Sequence, residues 1–278
     1  MKKILVLVSC FFIANSFAQN FTGKATYKTH RKVDFKISKS KNAPNSDMQK
    51  QLQEQMKKMF QKTYTLNFTK SESTYKQNQK LAAPQPNKSG VIIKISGMGG
   101  GTDVLYKNIS EKRFVNKTEI MGKRFLIKDK IKNIEWELTS ETKNIGIYTC
   151  YKAIFSIEEE YIKHDFKDDK QTSKKATKTV KTTAWYTPQI PVSNGPSKFG
   201  GLPGLILEIN EGKLTIVCTE VVLNPSNKIE VKEPTKGKKV TQKKFDKIMD
   251  KKSKEMMKRF RSRKGRGNKG GITVEFNG

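Results

Sequence analysis

The stretch Gly200-Gly-Leu-Pro-Gly-Leu-Ile-Leu-Glu-Ile209 decides the fold prediction. Its glycines predict a turn with positive φ or a close backbone approach, and Pro203 adds rigidity. The apolar run 205–207 that follows directly predicts a buried strand. We therefore predict that this segment is structural and fixes how a loop re-enters a sheet; its residues are Gly201, Leu202, Pro203, Gly204, Leu205 and Ile206.

Alternating or short apolar runs on both sides of this stretch predict further strands. They are separated by short polar turns, which favours an antiparallel meander over alternating strands and helices. We predict 141–146 as a turn and 158–178 as a charged hairpin tip. The predicted strands are 21–37, 63–75, 104–106, 113–115, 124–127, 135–138, 148–157, 179–186, 205–209 and 214–222.

Two segments have helical periodicity instead. Residues 46–62 place Met48, Leu52 and Met56 on one face, which fits either a core-facing helix or an adaptable apolar ligand surface. Residues 241–260 form a second amphipathic stretch that Thr241 can cap, and it would dock on the sheet or lie on a membrane surface. The predicted fold is mainly β (α+β): a curved antiparallel sheet or half-barrel with a covering amphipathic helix and a C-terminal helix.

The N-terminus predicts export. Residues 1–18 combine Lys2 and Lys3, an apolar run and small residues before Gln19, which is typical of a signal peptide. Cleavage and lipid anchoring at Cys10 is the alternative. No later run reaches membrane-spanning length. We expect one domain over 19–260, a basic Gly-rich tail with an edge strand over 261–278, and a periplasmic or extracellular location.

The strong positive charge, +30 at pH 7, limits the partners. Basic proteins often bind nucleic acid. The export signal favours anionic partners outside the cytoplasm instead, such as lipid headgroups, anionic glycans or acidic proteins. The arginine-glycine segment 261–271 keeps RNA binding as a minor alternative.

The sequence predicts no catalytic residues, metal site or cofactor. His30 and His164 are the only histidines, and neither stands in a pattern typical of a nucleophile with its base. The acids around His164 follow no calcium-loop spacing. Cys150 and Cys218, the cysteines that remain after signal-peptide removal, fit either a disulfide or two separately buried thiols.

Four ordered blocks carry a family resemblance: 134–136 (Ile-Glu-Trp), 148–153 (Tyr-Thr-Cys-Tyr-Lys-Ala), 184–196 with Ala-Trp-Tyr and Gly-Pro, and 201–206 (Gly-Leu-Pro-Gly-Leu-Ile). They resemble the GLPGLI family of exported Bacteroidota proteins. Ser197 departs from this pattern, where an aromatic residue is expected. The resemblance implies an envelope location and a β-rich fold. It carries no established activity onto particular residues.

Two functional hypotheses follow. In the first, the protein is a binding module for an apolar ligand or envelope partner such as an outer-membrane protein. The helix 46–62 is then a lid, and the rim includes Trp185, Tyr186 and Phe199. In the second, it is an accessory protein that docks on a membrane protein or an anionic surface through its basic face. Hydrolysis is a weaker hypothesis.

Overall fold

A computed structural model describes residues 21–32, 54, 61–79, 103–167 and 170–264. The described residues form one sheet of twelve strands and a C-terminal helix, α1 (Gln242–Lys264). The strands are β1 (Thr22–Arg31), β2 (Lys62–Thr69), β3 (Glu72–Gln77), β4 (Val104–Asn108), β5 (Arg113–Ile120), β6 (Lys123–Lys130), β7 (Glu137–Ile145), β8 (Tyr148–Lys167), β9 (Lys170–Thr187), β10 (Leu205–Glu211), β11 (Leu214–Leu223) and β12 (Lys238–Val240).

The sheet joins two meanders through its first strand. The strand order is β12-β6-β5-β4-β3-β2-β1-β11-β10-β9-β8-β7. Neighbouring strands are antiparallel except β12, which pairs with β6 in parallel. Because β12 and β7 lie at opposite ends of this order, the sheet is open. The predicted mainly-β fold with an antiparallel sheet and a C-terminal helix is confirmed.

In strand β1 the alternation of apolar and polar residues in the sequence matches the alternation of buried and exposed side chains. Gly23, Ala25 and Tyr27 are buried, whereas Lys24 and Lys28, at even positions of the strand, are exposed. The antiparallel register places Tyr27 opposite Tyr64 on β2 and opposite Cys218 on β11. The sheet therefore buries one row of side chains across the junction of its two meanders.

Two predicted local structures are wrong. The predicted strand 63–75 is a hairpin, because the Thr69 hydroxyl accepts hydrogen bonds from the backbone N–H groups of Ser71 and Glu72 and closes a turn. Residues 141–145 of the predicted turn belong to β7, and the chain reverses only at Gly146, whose φ is +59°. Polar residues occur in β7 because it is an edge strand.

The hairpin of β8 and β9 extends far beyond its neighbours. Pairing between β7 and β8 ends at Ile154, and pairing between β9 and β10 reaches only Thr182. Pairing between β8 and β9 continues to Lys167 and Lys170. Most of the predicted hairpin tip 158–178 is therefore regular strand.

The loop between β9 and β10, residues 188–204, folds onto the sheet, and we call it the plug loop. Its apolar side chains Ile190, Val192, Phe199 and Leu202 are at most 1% exposed. They pack in the main core cluster with residues of β1, β2, β9 and β10. A second, smaller cluster of Tyr106, Val115 and Leu126 packs against Val231. The segment that carries Val231, residues 224–237, joins β11 to β12, and we call it the strap.

Helix α1 begins at two caps. The hydroxyl of Thr241 accepts a hydrogen bond from the N–H of Lys244 at 3.4 Å, as the sequence predicts, and the carboxylate of Asp129 accepts one from the N–H of Gln242 at 3.0 Å. Phe245 then packs edge-to-face on Phe125 of β6, with ring centroids 5.6 Å apart. Within the described residues, no helix is both long enough and apolar enough to cross a membrane.

Candidate functional site

The glycine-rich turn is shaped by close backbone approach. A Cβ atom added at Gly204 would lie 2.2 Å from the carbonyl oxygen of Thr187, and Gly201 has a φ of +86°. The next two residues return to the sheet, where the N–H of Leu205 donates to Ile190 and that of Ile206 donates to Asn194. The turn thus holds the plug loop against the strand that follows it.

The predicted rim residues all lie at the main core cluster, which contains Tyr186 and Phe199 and against which Trp185 packs. Trp185 and Tyr186 are neighbours in β9, so their side chains point to opposite faces of the sheet. The ammonium of Lys143 lies 4.4 Å from the ring centroid of Trp185. Tyr186 is 6% exposed and Phe199 is 1% exposed, both within the main core cluster. Met48, Leu52 and Met56 lie outside the described residues.

A buried lysine anchors the plug loop, and sequence reasoning missed it. Lys107 of β4 is 4% exposed. Its ammonium donates hydrogen bonds to the carbonyl oxygens of Gly195 and Phe199, each at 2.9 Å. Burial lowers the pKa of Lys107 to about 7. Ser73 lies opposite Lys107 in the register and is fully buried, and its hydroxyl has no hydrogen-bond partner among the residues that the structure describes.

The buried groups near the plug loop offer no open reaction site. Lys107 and Ser73 are both enclosed by the core. Cys150 and Cys218 are free thiols, and burial raises the pKa of each to about 11, so both stay protonated at neutral pH. Within the described part of the chain, no cluster of three or more His, Cys, Asp or Glu side chains could hold a metal ion.

A groove does open at the β12 end of the sheet. It has a volume of about 680 Å³ and lies between the β5–β6 hairpin, β12 and α1. This volume is within the range of small-molecule sites, about 300–1,000 Å³. We call it the α1 groove, and its lining residues are Ile120, Met121, Lys123, Arg124, Phe125, Lys238, Ile248 and Lys252.

The hairpin at the mouth of this groove has an unusual turn. Met121 and Gly122 form the two-residue connection between β5 and β6, with φ values of +48° and +76°. Two positive φ angles are typical of a type I′ turn, whose first position normally carries Asn, Asp or Gly. Met121 is instead a large apolar residue, and it is 66% exposed.

Four cations surround the apolar part of the groove. Arg124 pairs with Glu119 at 3.3 Å, and Lys252 pairs with Glu255 at 2.8 Å. No acidic side chain among the described residues forms an ion pair with Lys123 or Lys238. None of the lining residues is acidic. An apolar floor under uncompensated ammonium groups can bind a ligand that is apolar along its length and negative at one end.

Comparison with known proteins gives a family match for part of the chain. A family model described as "Protein of unknown function (Porph_ging)" matches residues 136–208. The matched segment runs from Trp136, whose indole N–H donates to the carbonyl of Gly200 at 2.9 Å, through β7, β8, β9 and the plug loop into β10. The region around the plug loop is therefore the part that this family shares. No curated protein matches the chain.

Two solved structures resemble the fold at low identity. Both are structures of PNGF-II, in space groups C2 and P21. Each is 14% identical and covers 82% of this chain, with TM-scores of 0.47 and 0.48. The chain spans about a third of the length of these PNGF-II chains, 32% and 33%. A likeness at this level carries no argument about function.

Proposed function

We propose that this protein is an exported, non-catalytic binding protein of the GLPGLI type, and that it holds an apolar ligand in the α1 groove. The observation that carries this proposal is Met121. Its left-handed backbone conformation is unfavourable for a residue with a Cβ atom. Its exposed apolar side chain gains little from burial in the protein itself. Contact with a ligand would bury this side chain and offset the cost of the turn.

The rest of the groove supports the same assignment. Phe125 is 6% exposed and is held in place by Phe245, so it provides a rigid apolar floor. Ile120 and Ile248 add aliphatic surface from β5 and α1. Because Tyr186 and Phe199 belong to the core, we assign the ligand to this groove and not to the predicted rim.

The turn residue allows a test that separates binding from folding. Asn tolerates positive φ better than Met, so Met121→Asn relieves the turn while it removes the apolar contact. We expect stability in urea to be equal or higher and affinity for the neutral apolar probe Nile red to fall about fivefold, for the loss of about 1 kcal/mol of apolar contact.

Lys112→Asn is the matched control. Lys112 also has a positive φ, +52°, in the turn between β4 and β5, and it does not line the groove. This variant should relieve backbone strain at its turn in the same way and leave the affinity for Nile red unchanged. Wild-type Nile red affinity in Met121→Asn would overturn the proposal.

A second candidate function is docking on an anionic surface through α1. The 23 residues of this helix include eleven lysines and arginines and three acids. Such a helix is attracted to anionic lipid. Sedimentation with anionic and with neutral vesicles, at low and at high salt, tests this role. Binding to anionic vesicles that salt abolishes would support it, and absence of binding at low salt would exclude it.

A further inference from the structure

We infer that the ligand of the α1 groove is a single-chain anionic amphiphile of the fatty-carboxylate type, with its chain on the apolar floor and its carboxylate between Lys123 and Lys238. The inference rests on the proposed function, since it names the class of ligand that the groove binds. It is carried by the register of β12 on β6 and by the lack, among the described residues, of an acidic lining residue or of a carboxylate paired with either lysine.

The register brings both lysines to one face of the sheet. Lys238 is the direct partner of Phe125 in the parallel pairing of β12 with β6. Lys123 precedes Phe125 by two residues in β6, so its side chain leaves the same face. With strands about 4.8 Å apart and about 3.3 Å per residue along a strand, the two Cα atoms are roughly 8 Å apart. Two lysine side chains can close that distance onto one carboxylate.

The charges of the two lysines are uncompensated by any described residue. The other two cations of the groove, Arg124 and Lys252, each have a carboxylate partner, Glu119 and Glu255. Lys123 and Lys238 have no such partner among the described residues. Like charges on neighbouring strands of one face repel each other. An anion between them would remove this repulsion, whereas a neutral ligand would leave it in place.

The apolar floor beneath these lysines indicates that the ligand carries an alkyl chain in addition to its anionic head. Phe125 is a same-face neighbour of both lysines, across the strands from Lys238 and two residues along β6 from Lys123, and Ile120, Met121 and Ile248 extend the apolar surface. A free inorganic anion would use the lysines and none of this surface. A nucleic acid or an acidic glycan would use the charges in the same way. A single alkyl chain that ends in a carboxylate uses both.

The charge of the ligand head can be varied at constant chain length. Calorimetric titration of the protein with decanoate, 1-decanol and decylammonium, each below its aggregation concentration, compares an anionic, a neutral and a cationic head. We expect decanoate to bind roughly tenfold more tightly than decanol and decylammonium to bind most weakly. The advantage of decanoate should shrink at high salt.

The outcomes separate this inference from the proposed function. Equal affinity for decanoate and decanol would overturn the anionic ligand and leave an apolar binding site. Failure of all three to bind would overturn both. Binding of decanoate that is no tighter than binding of acetate would also overturn the inference, because the chain would then contribute nothing.

The double variant Lys123→Gln with Lys238→Gln tests the named residues. It should remove the preference for decanoate over decanol, so that the two probes bind with equal affinity. The matched control is Lys70→Gln with Lys76→Gln, which removes two exposed charges at the β2–β3 hairpin, with β4 and β5 between β3 and the groove strand β6. Equal loss of decanoate affinity in both double variants would assign the effect to net charge and overturn the site.

Discussion

The ammonium of Lys107 lies 2.9 Å from the carbonyl oxygen of Phe199 and joins the middle of one meander to the plug loop of the other. A second bond of equal length joins the ammonium to Gly195, so that among the described residues it binds two carbonyl groups and no carboxylate. Burial is the cause of its lowered pKa, about 7. The core therefore contains a cation whose charge costs free energy whenever it is protonated.

Lys107 should make stability rise with pH between about 7 and 9. Its pKa is about 7 in the folded protein and has its ordinary value, 10.5, in the unfolded chain. In this interval the unfolded chain binds more protons, so the free energy of unfolding increases with pH, by about 2 kcal/mol over two pH units. Below pH 7 both states are protonated and this contribution is constant.

The comparison with Lys107→Met isolates this effect. Other groups also titrate, so the quantity to measure is the difference in unfolding free energy between wild type and variant, from urea denaturation at pH 6, 7, 8 and 9. We expect the difference to be flat from pH 6 to 7 and then to shift in favour of the wild type. A difference that is constant from pH 6 to 9 would mean that Lys107 keeps an ordinary pKa.

Gly204 should tolerate no side chain. In Gly204→Ala the new Cβ would meet the carbonyl of Thr187 at 2.2 Å, so backbone must move, and we expect a loss of about 3 kcal/mol or more of unfolding free energy. Gly212→Ala is the control, since Gly212 has a φ of +56° but no atom within 4 Å of the new Cβ. It should cost only about 1 kcal/mol. Equal losses in urea denaturation would show that backbone strain, and not the clash, determines the effect at Gly204.

The strands and the helix cap could be predicted from the sequence because their causes are local. Alternation in β1, the apolar run of β10 and the hydroxyl of Thr241 each act within a few residues. Thr69 was missed although its signal is also local, since its hydroxyl closes a turn within an otherwise alternating run. The two wrong predictions, the strand 63–75 and the turn 141–146, concern the positions of turns and leave the fold class unchanged.

The contacts of Lys107 and the α1 groove could not be predicted from the sequence, because they depend on residues that are far apart along the chain. Lys107 meets its two carbonyl partners 88 and 92 residues further along the chain, and nothing local distinguishes it from the many exposed lysines. The α1 groove depends on the parallel pairing of a three-residue strand, β12, with β6. Met121 alone had a readable signal, because a Met-Gly pair between two strands places an apolar residue at a turn position that favours Asn.

Cys150 and Cys218 should both remain reduced thiols. Their strands, β8 and β11, are separated by β9 and β10, and both thiols are free and buried. Burial raises the pKa of each to about 11, so little thiolate exists at neutral pH. An aromatic disulfide reagent should detect neither thiol in the native protein and both after unfolding without reductant. Detection of no thiol after unfolding would demonstrate a disulfide between them.

Glu233 should hold the strap against strands β5 and β6 of the sheet. Its carboxylate pairs with Arg113 at 2.7 Å and with Lys128 at 2.9 Å, next to the cluster of Tyr106, Val115, Leu126 and Val231. We expect Glu233→Gln to lower the free energy of unfolding at pH 7 by about 1 kcal/mol, the upper range for partly exposed ion pairs. Urea denaturation at low salt measures this change.

The stabilisation by Glu233 should depend on pH. Hydrogen bonds from Lys128 and Arg113 hold the pKa of Glu233 below its ordinary value. The stabilisation is therefore complete above the ordinary glutamate range and is lost as the pH falls through the lowered pKa, so wild type and Glu233→Gln should converge in acid. Glu230→Gln is the control, because the pair of Glu230 with Lys232 is largely exposed and should contribute nothing measurable. A stability gap between wild type and Glu233→Gln that persists unchanged in acid would show that shape, and not charge, holds the strap in place.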